Sequence, residues 1–147
     1  TLYSPLNGTA IPLSEVKDET FAGEILGKGM AVTPSEGVVK APCDAEVSMV
    51  FDTKHAIGLT TENGLELLIH VGLNTVELEG KYYTVHVNDG DKVQKGQTLI
   101  TFDMDKIKEA GYDVTTPMIV TNTDDFEKVT FLNAGTVNND SRVLEVR

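Results

Sequence analysis

The sequence has few basic residues, a single cysteine and no long apolar run. Lysine and arginine number 12 against 23 aspartates and glutamates, so the formal net charge is -11. This balance argues against direct binding to nucleic acids or anionic membranes. Cys43 alone cannot form an internal disulfide, which favours a reducing compartment. No apolar run reaches the length of a membrane span, and no basic-then-apolar leader opens the chain.

Short β-rich runs, separated by Gly, Asn, Asp and Pro, dominate the chain. This spacing is typical of an all-β fold, an antiparallel β-sandwich or barrel-sandwich. We expect strands at Gly8–Leu13, Met30–Thr33, Gly37–Lys40, Ala45–Phe51, Ala56–Thr60, Leu65–Val71, Thr98–Phe102, Met118–Thr121 and Val143–Val146. Met104–Ala110 is predicted to be a short helix, with Asp103 as N-cap and Gly111 at its end.

The 147 residues fit one domain, because no linker or low-complexity segment interrupts them. The chain begins at Thr1 without a methionine, so we expect a trimmed end or a domain excised from a longer protein. Residues 4–10 weakly resemble residues 41–47, each reading as a small residue, a proline, a turn and a strand. Common turn chemistry and a duplicated β motif both explain this echo.

Two histidines flank one predicted hairpin. Asn63-Gly64 lies between apolar runs, which is the strongest short hairpin signal. If these two residues form the loop, Ile57 faces His70, and His55 lies on the same face as His70. We therefore expect the two imidazoles to be diagonal cross-strand neighbours.

Thr53 lies two residues before His55 and can orient an imidazole through its hydroxyl. Three kinds of chemistry are open to this group. They could bind a metal, although two imidazoles are too few for a stable zinc site without a further ligand. They could act as a general acid–base pair, although no Ser or Cys nucleophile lies beside them. One imidazole could itself be the nucleophile for a phosphoryl group, with the other stabilising the phosphoryl oxygens.

Several segments resemble a known family. They are Thr53–Ile57, Leu68–Val76 and Thr116–Asn122, with weaker matches at Ala41-Pro42 and Gly90–Gln97. Together they resemble the glucose-type enzyme IIA domain of the bacterial phosphoenolpyruvate-dependent sugar phosphotransferase system. The resemblance covers nearly the whole chain, and the segments around the two histidines are its specific part.

This resemblance implies a phosphoryl relay in sugar uptake, without a cofactor or a metal. His70 matches the phosphorylated histidine, His55 the residue that stabilises the phosphoryl group, and Thr53 the residue that orients the rings. The donor would be the phosphocarrier protein HPr, and the acceptor a cysteine on the IIB domain of a sugar permease. The domain, residues 1–147, would be cytoplasmic, either free or excised from a multidomain permease at the membrane. The residues that match the apolar docking rim are Phe21, Ile25, Leu26, Phe51, Leu68 and Val76.

One segment departs from the family. The family often has Gly-x-Gly-Phe where this chain has Gly80-Lys81-Tyr82-Tyr83, so the geometry and contacts of this loop are open. His86 follows a β-rich run, and a structural or surface histidine is the favoured interpretation. The alternative is that His86 is a third metal ligand.

Three alternatives accompany the relay. A zinc hydrolase of the lysostaphin-like type would need two histidines, a carboxylate and a further histidine, but His86 is followed by Val87-Asn88 and completes no His-x-His motif. A biotinyl or lipoyl carrier would need a lysine at an exposed hairpin tip between hydrophobic residues, which is missing. A purely regulatory domain, in which phosphorylation of His70 controls a transporter, would need the same histidines as the relay.

Overall fold

The regular structure consists of fourteen strands, two short α-helices and three short 3₁₀ helices. The computed structural model describes all residues, 1–147. Each of the nine predicted strands is present, with small shifts at its ends. The strands are β1 Leu2–Tyr3, β2 Gly8–Pro12, β3 Lys28–Pro34, β4 Val38–Lys40, β5 Ala45–Val50, β6 Ala56–Thr60, β7 Glu66–His70, β8 Tyr83–Val85, β9 Lys92–Val93, β10 Thr98–Phe102, β11 Thr116–Val120, β12 Val129–Phe131, β13 Gly135–Val137 and β14 Arg142–Val146.

The α-helices are α1, Glu19–Ala22, and α2, Met104–Glu109. The sequence predicted α2 and its N-cap: the Asp103 side chain accepts a hydrogen bond from the Lys106 backbone N–H. Helix α1 has only four residues, too few for a periodic pattern to reveal it. No helix has both the length and the apolar character needed to cross a membrane.

Three antiparallel sheets form the fold, which confirms the predicted all-β class. The large sheet has the strand order β13-β2-β3-β11-β7-β6-β5-β9. Two three-stranded sheets, β1-β14-β12 and β4-β10-β8, complete the structure. All five strands that the sequence did not predict are two or three residues long, so they carry little alternation of their own.

The large sheet is buried on both faces near its centre. Every residue of β11 is buried, and Met118 and Ile119 point to opposite sides. Met118 belongs to a main core of 27 buried residues. Ile119 belongs to a smaller cluster, here called the outer cluster, formed by Leu13, Val16, Phe21, Ala31, Leu73 and Ile119. An apolar layer therefore covers the outer face beside β7, the strand that ends at His70.

The register of the β6–β7 hairpin differs by one residue from the prediction. His70 pairs with Ala56, and Ile57 pairs with Ile69. The predicted two-residue loop is wrong. The Thr61 N–H donates to the Leu65 carbonyl at 3.0 Å, so residues 62–64 form a three-residue loop. Gly64 alone has a positive φ there, +84°. Three-residue loops typically end with a left-handed residue, and Gly64 supplies it.

Strand β5 also departs from simple alternation. Strict alternation along the strand would place Val47, Met49 and Phe51 on one face. The structure has a bulge between Val47 and Met49, so Val47 is buried while Met49 is half exposed. A bulge inserts one residue and turns the following side chains over, and a single-strand pattern does not reveal it.

Candidate functional site

The structure brings His55 and His70 together at one end of the β6–β7 hairpin. Their ring centroids are 4.6 Å apart, with the planes at 78°. Strict alternation from the observed register would place the two side chains on opposite faces. His55, however, lies just before β6 and follows Lys54, whose φ is +61°. The rings meet because this turn, outside the regular strand, directs the His55 side chain.

Hydrogen bonds hold the Nδ1 atom of each ring. His70 Nδ1 lies 2.7 Å from the Gly72 carbonyl oxygen. A carbonyl only accepts, so neutral His70 carries its proton on Nδ1 and its lone pair on Nε2. His55 Nδ1 lies 2.7 Å from Thr53 Oγ1, and a hydroxyl can donate or accept. The Thr53 hydroxyl thus holds the second ring by its Nδ1 atom, as the Gly72 carbonyl holds the first.

The two histidines differ in exposure. His55 is 3% exposed, whereas His70 is partly open to solvent. Burial, together with the neighbouring His70, lowers the pKa of His55 to about 4. Burial also lowers the pKa of His70, against opposing effects from the Gly72 hydrogen bond and Asp18. Both rings are therefore neutral at pH 7, and neutral imidazole is the nucleophilic form.

Two phenylalanines frame the histidine pair. The Phe21 ring lies 5.0 Å from the His70 ring, between centroids, and the Phe51 ring lies 5.6 Å from the His55 ring. Phe21 is only 5% exposed and belongs to the outer cluster. Phe21 packs against His70 and presents little surface area to a partner. Phe51 is half-buried.

The remaining residues of the predicted rim are accessible to different extents. Ile25 is 73% exposed, Val76 48% and Leu26 39%, while Leu68 is half-buried. Apolar side chains grouped on a surface are typical of docking sites. These numbers agree with such a role but do not test it, so the rim stays a prediction.

Met49 is an exposed apolar residue that the sequence analysis missed. It lies opposite Gly58, which in turn lies opposite Leu68. Directly paired residues share a face, so Met49 lies on the face of Leu68 and His70. The only signal for it was Gly58 in the middle of a strand, since an interior glycine often marks a bulge.

His86 stands apart from any cluster of metal ligands. It is exposed, and its Nε2 lies 2.9 Å from Thr101 Oγ1. No three His, Cys, Asp or Glu side chains are grouped so that they could hold a metal ion. The zinc hydrolase alternative requires such a group.

Comparison with known proteins first defines the class of the fold. The structure is similar to the glucose permease IIA from Mycoplasma capricolum, with a TM-score of 0.88 and 32% identity. The match covers 97% of this chain and 92% of that one. The fold is therefore that of a IIA domain.

The sequence comparisons define the family. Residues 1–126 match the family model of the phosphoenolpyruvate-dependent sugar phosphotransferase system, EIIA 1, and the chain belongs to this family. It is 47% identical over 130 residues to the glucose-specific EIIA component of Halalkalibacterium halodurans, covering 86% of this chain and 75% of that protein. The chain is thus an EIIA domain of this phosphotransferase system.

Other relatives are much longer than this chain. It is 52% identical over 125 residues to the beta-glucoside-specific EIIBCA component of Bacillus subtilis. That match covers 85% of this chain but only 20% of the relative. The chain spans about a fifth of the length of the beta-glucoside-specific relatives.

Proposed function

We propose that His70 carries the phosphoryl group, on Nε2. The observation that supports this most is the 2.7 Å hydrogen bond from His70 Nδ1 to the Gly72 carbonyl, in a ring that is partly exposed. It leaves the Nε2 lone pair as the nucleophile. The bond from phosphorus to the donor nitrogen breaks as the bond to His70 Nε2 forms, so the relay needs no cofactor. In the onward step the phosphoryl group leaves Nε2 for the acceptor.

His55 stabilises the transferring group. Its ring lies edge-on to His70 and is held by Thr53. An Nε2–H on His55 can donate to a phosphoryl oxygen, and such preorganised donors dominate phosphoryl-transfer catalysis. Phe21, which is buried beside His70, helps to exclude water and so limits hydrolysis of the phosphohistidine.

The donor in this proposal is HPr, and the acceptor is a cysteine of a IIB domain. The relatives named EIIBCA join a IIA part to other components in one protein, which supports a IIB partner for this chain. Both partners dock on the apolar rim around His70. The chain, residues 1–147, works as one relay unit on the cytoplasmic side, free or tethered to a permease.

The first test is the intact mass of the protein after incubation with phosphoenolpyruvate, enzyme I and HPr. One added, acid-labile phosphoryl group is expected, and His70→Ala should abolish it. His86→Ala is the matched control, since His86 is exposed and its ring is hydrogen-bonded to Thr101, away from the other two histidines. Phosphorylation that persists in His70→Ala would refute the assignment, and loss in His86→Ala alone would move the site to His86.

His55→Gln separates the two histidines. Glutamine keeps an N–H donor but not an imidazole that Thr53 can orient. The variant should still accept phosphate from HPr, while transfer onward to a IIB domain falls on the order of a hundredfold, as for loss of one preorganised donor. Rapid-quench transfer from the phosphorylated variant measures this. Onward transfer at the wild-type rate would remove His55 from the mechanism.

A further inference from the structure

One peptide segment links the two histidines through the backbone. Val71, which follows His70, donates its N–H to the His55 carbonyl, 2.6 Å away. The Val71 carbonyl accepts two hydrogen bonds, from Thr75 Oγ1 at 2.7 Å and from the Tyr83 hydroxyl at 2.8 Å. The next carbonyl along the chain, that of Gly72, is the one that holds His70 Nδ1. The orientation of the His70 ring therefore depends on how firmly this segment is held.

Tyr83 is placed to hold it. The residue begins β8, is 5% exposed, and its ring lies 6.1 Å from the Phe102 ring, between centroids. Burial raises the pKa of Tyr83 to about 12, so the hydroxyl stays protonated and donates at any physiological pH. The ring is fixed from the β8–β10 side of the fold, and only its hydroxyl reaches Val71.

The segment that carries Tyr83 also contacts the other histidine's turn. A Cβ atom added at Gly80 would lie 3.6 Å from Lys54 Cδ and 3.8 Å from the Thr53 carbonyl oxygen. Thr53 and Lys54 directly precede His55. Gly80 thus lies beside the turn before His55, and Tyr83, three residues later, bonds to the residue after His70. The sequence had left the contacts of this segment open.

We infer that Tyr83 is a positioning residue for phosphoryl transfer, which holds the Val71–Gly72 segment and, through the Gly72 carbonyl, the His70 ring. The inference rests on the proposed role of His70 as phosphoryl carrier. Tyr83 does not touch the reacting atoms. Its hydroxyl keeps the carbonyl that selects the reactive tautomer of His70 in place.

The sharing of the Val71 carbonyl shapes the test. Tyr83→Phe removes one donor and leaves Thr75, whereas Tyr83→Phe with Thr75→Val removes both and leaves a buried carbonyl without a partner. A buried unpaired acceptor costs more than a lost hydrogen bond. The double variant should therefore be impaired by more than the product of the two single effects. Tyr112→Phe is the matched control, because its hydroxyl bonds only to the Glu77 carboxylate on the surface.

Two readouts distinguish positioning from stability alone. The ¹⁵N chemical shifts of His70 report the tautomer without any phosphorylation, and rapid-quench kinetics report the rate of phosphoryl acceptance from HPr. In Tyr83→Phe we expect the two ¹⁵N shifts of His70 to move toward each other and the rate to fall about fivefold, the size of one lost hydrogen bond. Tyr112→Phe should change neither.

Each outcome bears on the inference. Wild-type ¹⁵N shifts and rates in Tyr83→Phe, with only a lower unfolding midpoint, would overturn it. If the rate in the double variant falls by only the product of the two effects seen in Tyr83→Phe and Thr75→Val, the two hydroxyls act independently and do not share the role of holding the Val71 carbonyl. If the wild-type protein is not phosphorylated at His70 at all, the proposed function fails, while the ¹⁵N shifts of the unphosphorylated variants still test the positioning.

Discussion

At the residue scale, His55 and His70 have the same side chain in different surroundings. His55 is covered, bonded to the Thr53 hydroxyl, and flanked by Phe51. His70 is partly exposed, and a carbonyl fixes its proton on Nδ1. The first arrangement suits a fixed hydrogen-bond donor and the second an accessible nucleophile, so the surroundings alone divide the proposed roles.

The lowered pKa of His55 makes a prediction about stability. Unfolded His55 titrates near its ordinary value of 6.5, whereas the folded value is about 4. Between these values the unfolded chain binds the proton more readily, so the free energy of unfolding falls as the pH falls. From pH 7 to pH 5 the His55 contribution falls by about 2 kcal/mol. Urea unfolding at both pH values should show this loss in the wild type and not in His55→Gln.

His86→Gln is the control, because it makes the same replacement at an exposed position. It should keep the pH dependence of the wild type. Equal losses in the wild type and in His55→Gln would mean that folding does not lower the pKa of His55.

At the scale of secondary-structure elements, the site lies where regular strands end. His55 precedes β6, His70 closes β7, and Gly72 lies in the turn that follows. Strand pairing brings the two chain segments together, while the turns aim the side chains. Gly72 has a φ of +91°, and an added Cβ would lie 2.5 Å from Thr75 Cγ2 and 3.0 Å from the Asp113 carbonyl. This close approach holds the Gly72 carbonyl within reach of His70.

A pair of glycine substitutions tests the close approach. Gly64 has a similar φ, +84°, but a Cβ there would meet nothing within 4 Å. Gly64→Ala should cost about 1 kcal/mol, the conformational cost alone. Gly72→Ala should cost about 1–3 kcal/mol more, since Thr75 is buried and a crowded core gives way only with strain. It should also slow phosphorylation of His70.

Chemical unfolding and phosphorylation assays on both variants make the comparison. Equal destabilisation by the two substitutions would mean that Gly72 is required only for its φ. Normal phosphorylation of a folded Gly72→Ala protein would contradict the role of the Gly72 carbonyl.

At the scale of the whole molecule, an acidic surface carries a small apolar area near the site. With a net charge of -11, copies of the chain repel one another. Ile25, Leu26, Val76 and Met49 are the exposed apolar side chains in or beside the predicted rim. Ile25 follows α1, whose Phe21 packs on His70. A transient partner can use such an area without permanent association.

Ile25→Ser tests this surface, because it removes apolar area without adding charge. At 73% exposure Ile25 contributes little to the core, so the unfolding midpoint should not change. The KM for phospho-HPr should rise about fivefold, as for loss of one moderate interface contact, while kcat stays the same. Leu132→Ser is the control. Leu132 is 40% exposed and follows β12, which belongs to a different sheet from the β6–β7 hairpin that carries His70. Equal effects of the two variants would argue against a docking role for Ile25.

The sequence alone determined nine of the fourteen strands, the capped helix α2 and the glycine of the β6–β7 turn, because these features depend on local chemistry. Turn residues and alternation act over a few neighbours, so they can be recognised without the fold. They also pointed to Thr53, His55 and His70 as one group, although through a register that was wrong by one residue.

Only the tertiary structure decided how that group is used. The three-residue loop set the register, and the bulge in β5 exposed Met49. The Gly72 carbonyl fixed the His70 tautomer, and Tyr83 was found to bond to Val71. Burial and packing at the site depend on groups that are distant in sequence, such as Phe21 beside His70 and Asp113 beside Gly72. Local patterns do not contain those contacts, because they exist only after the sheets have packed.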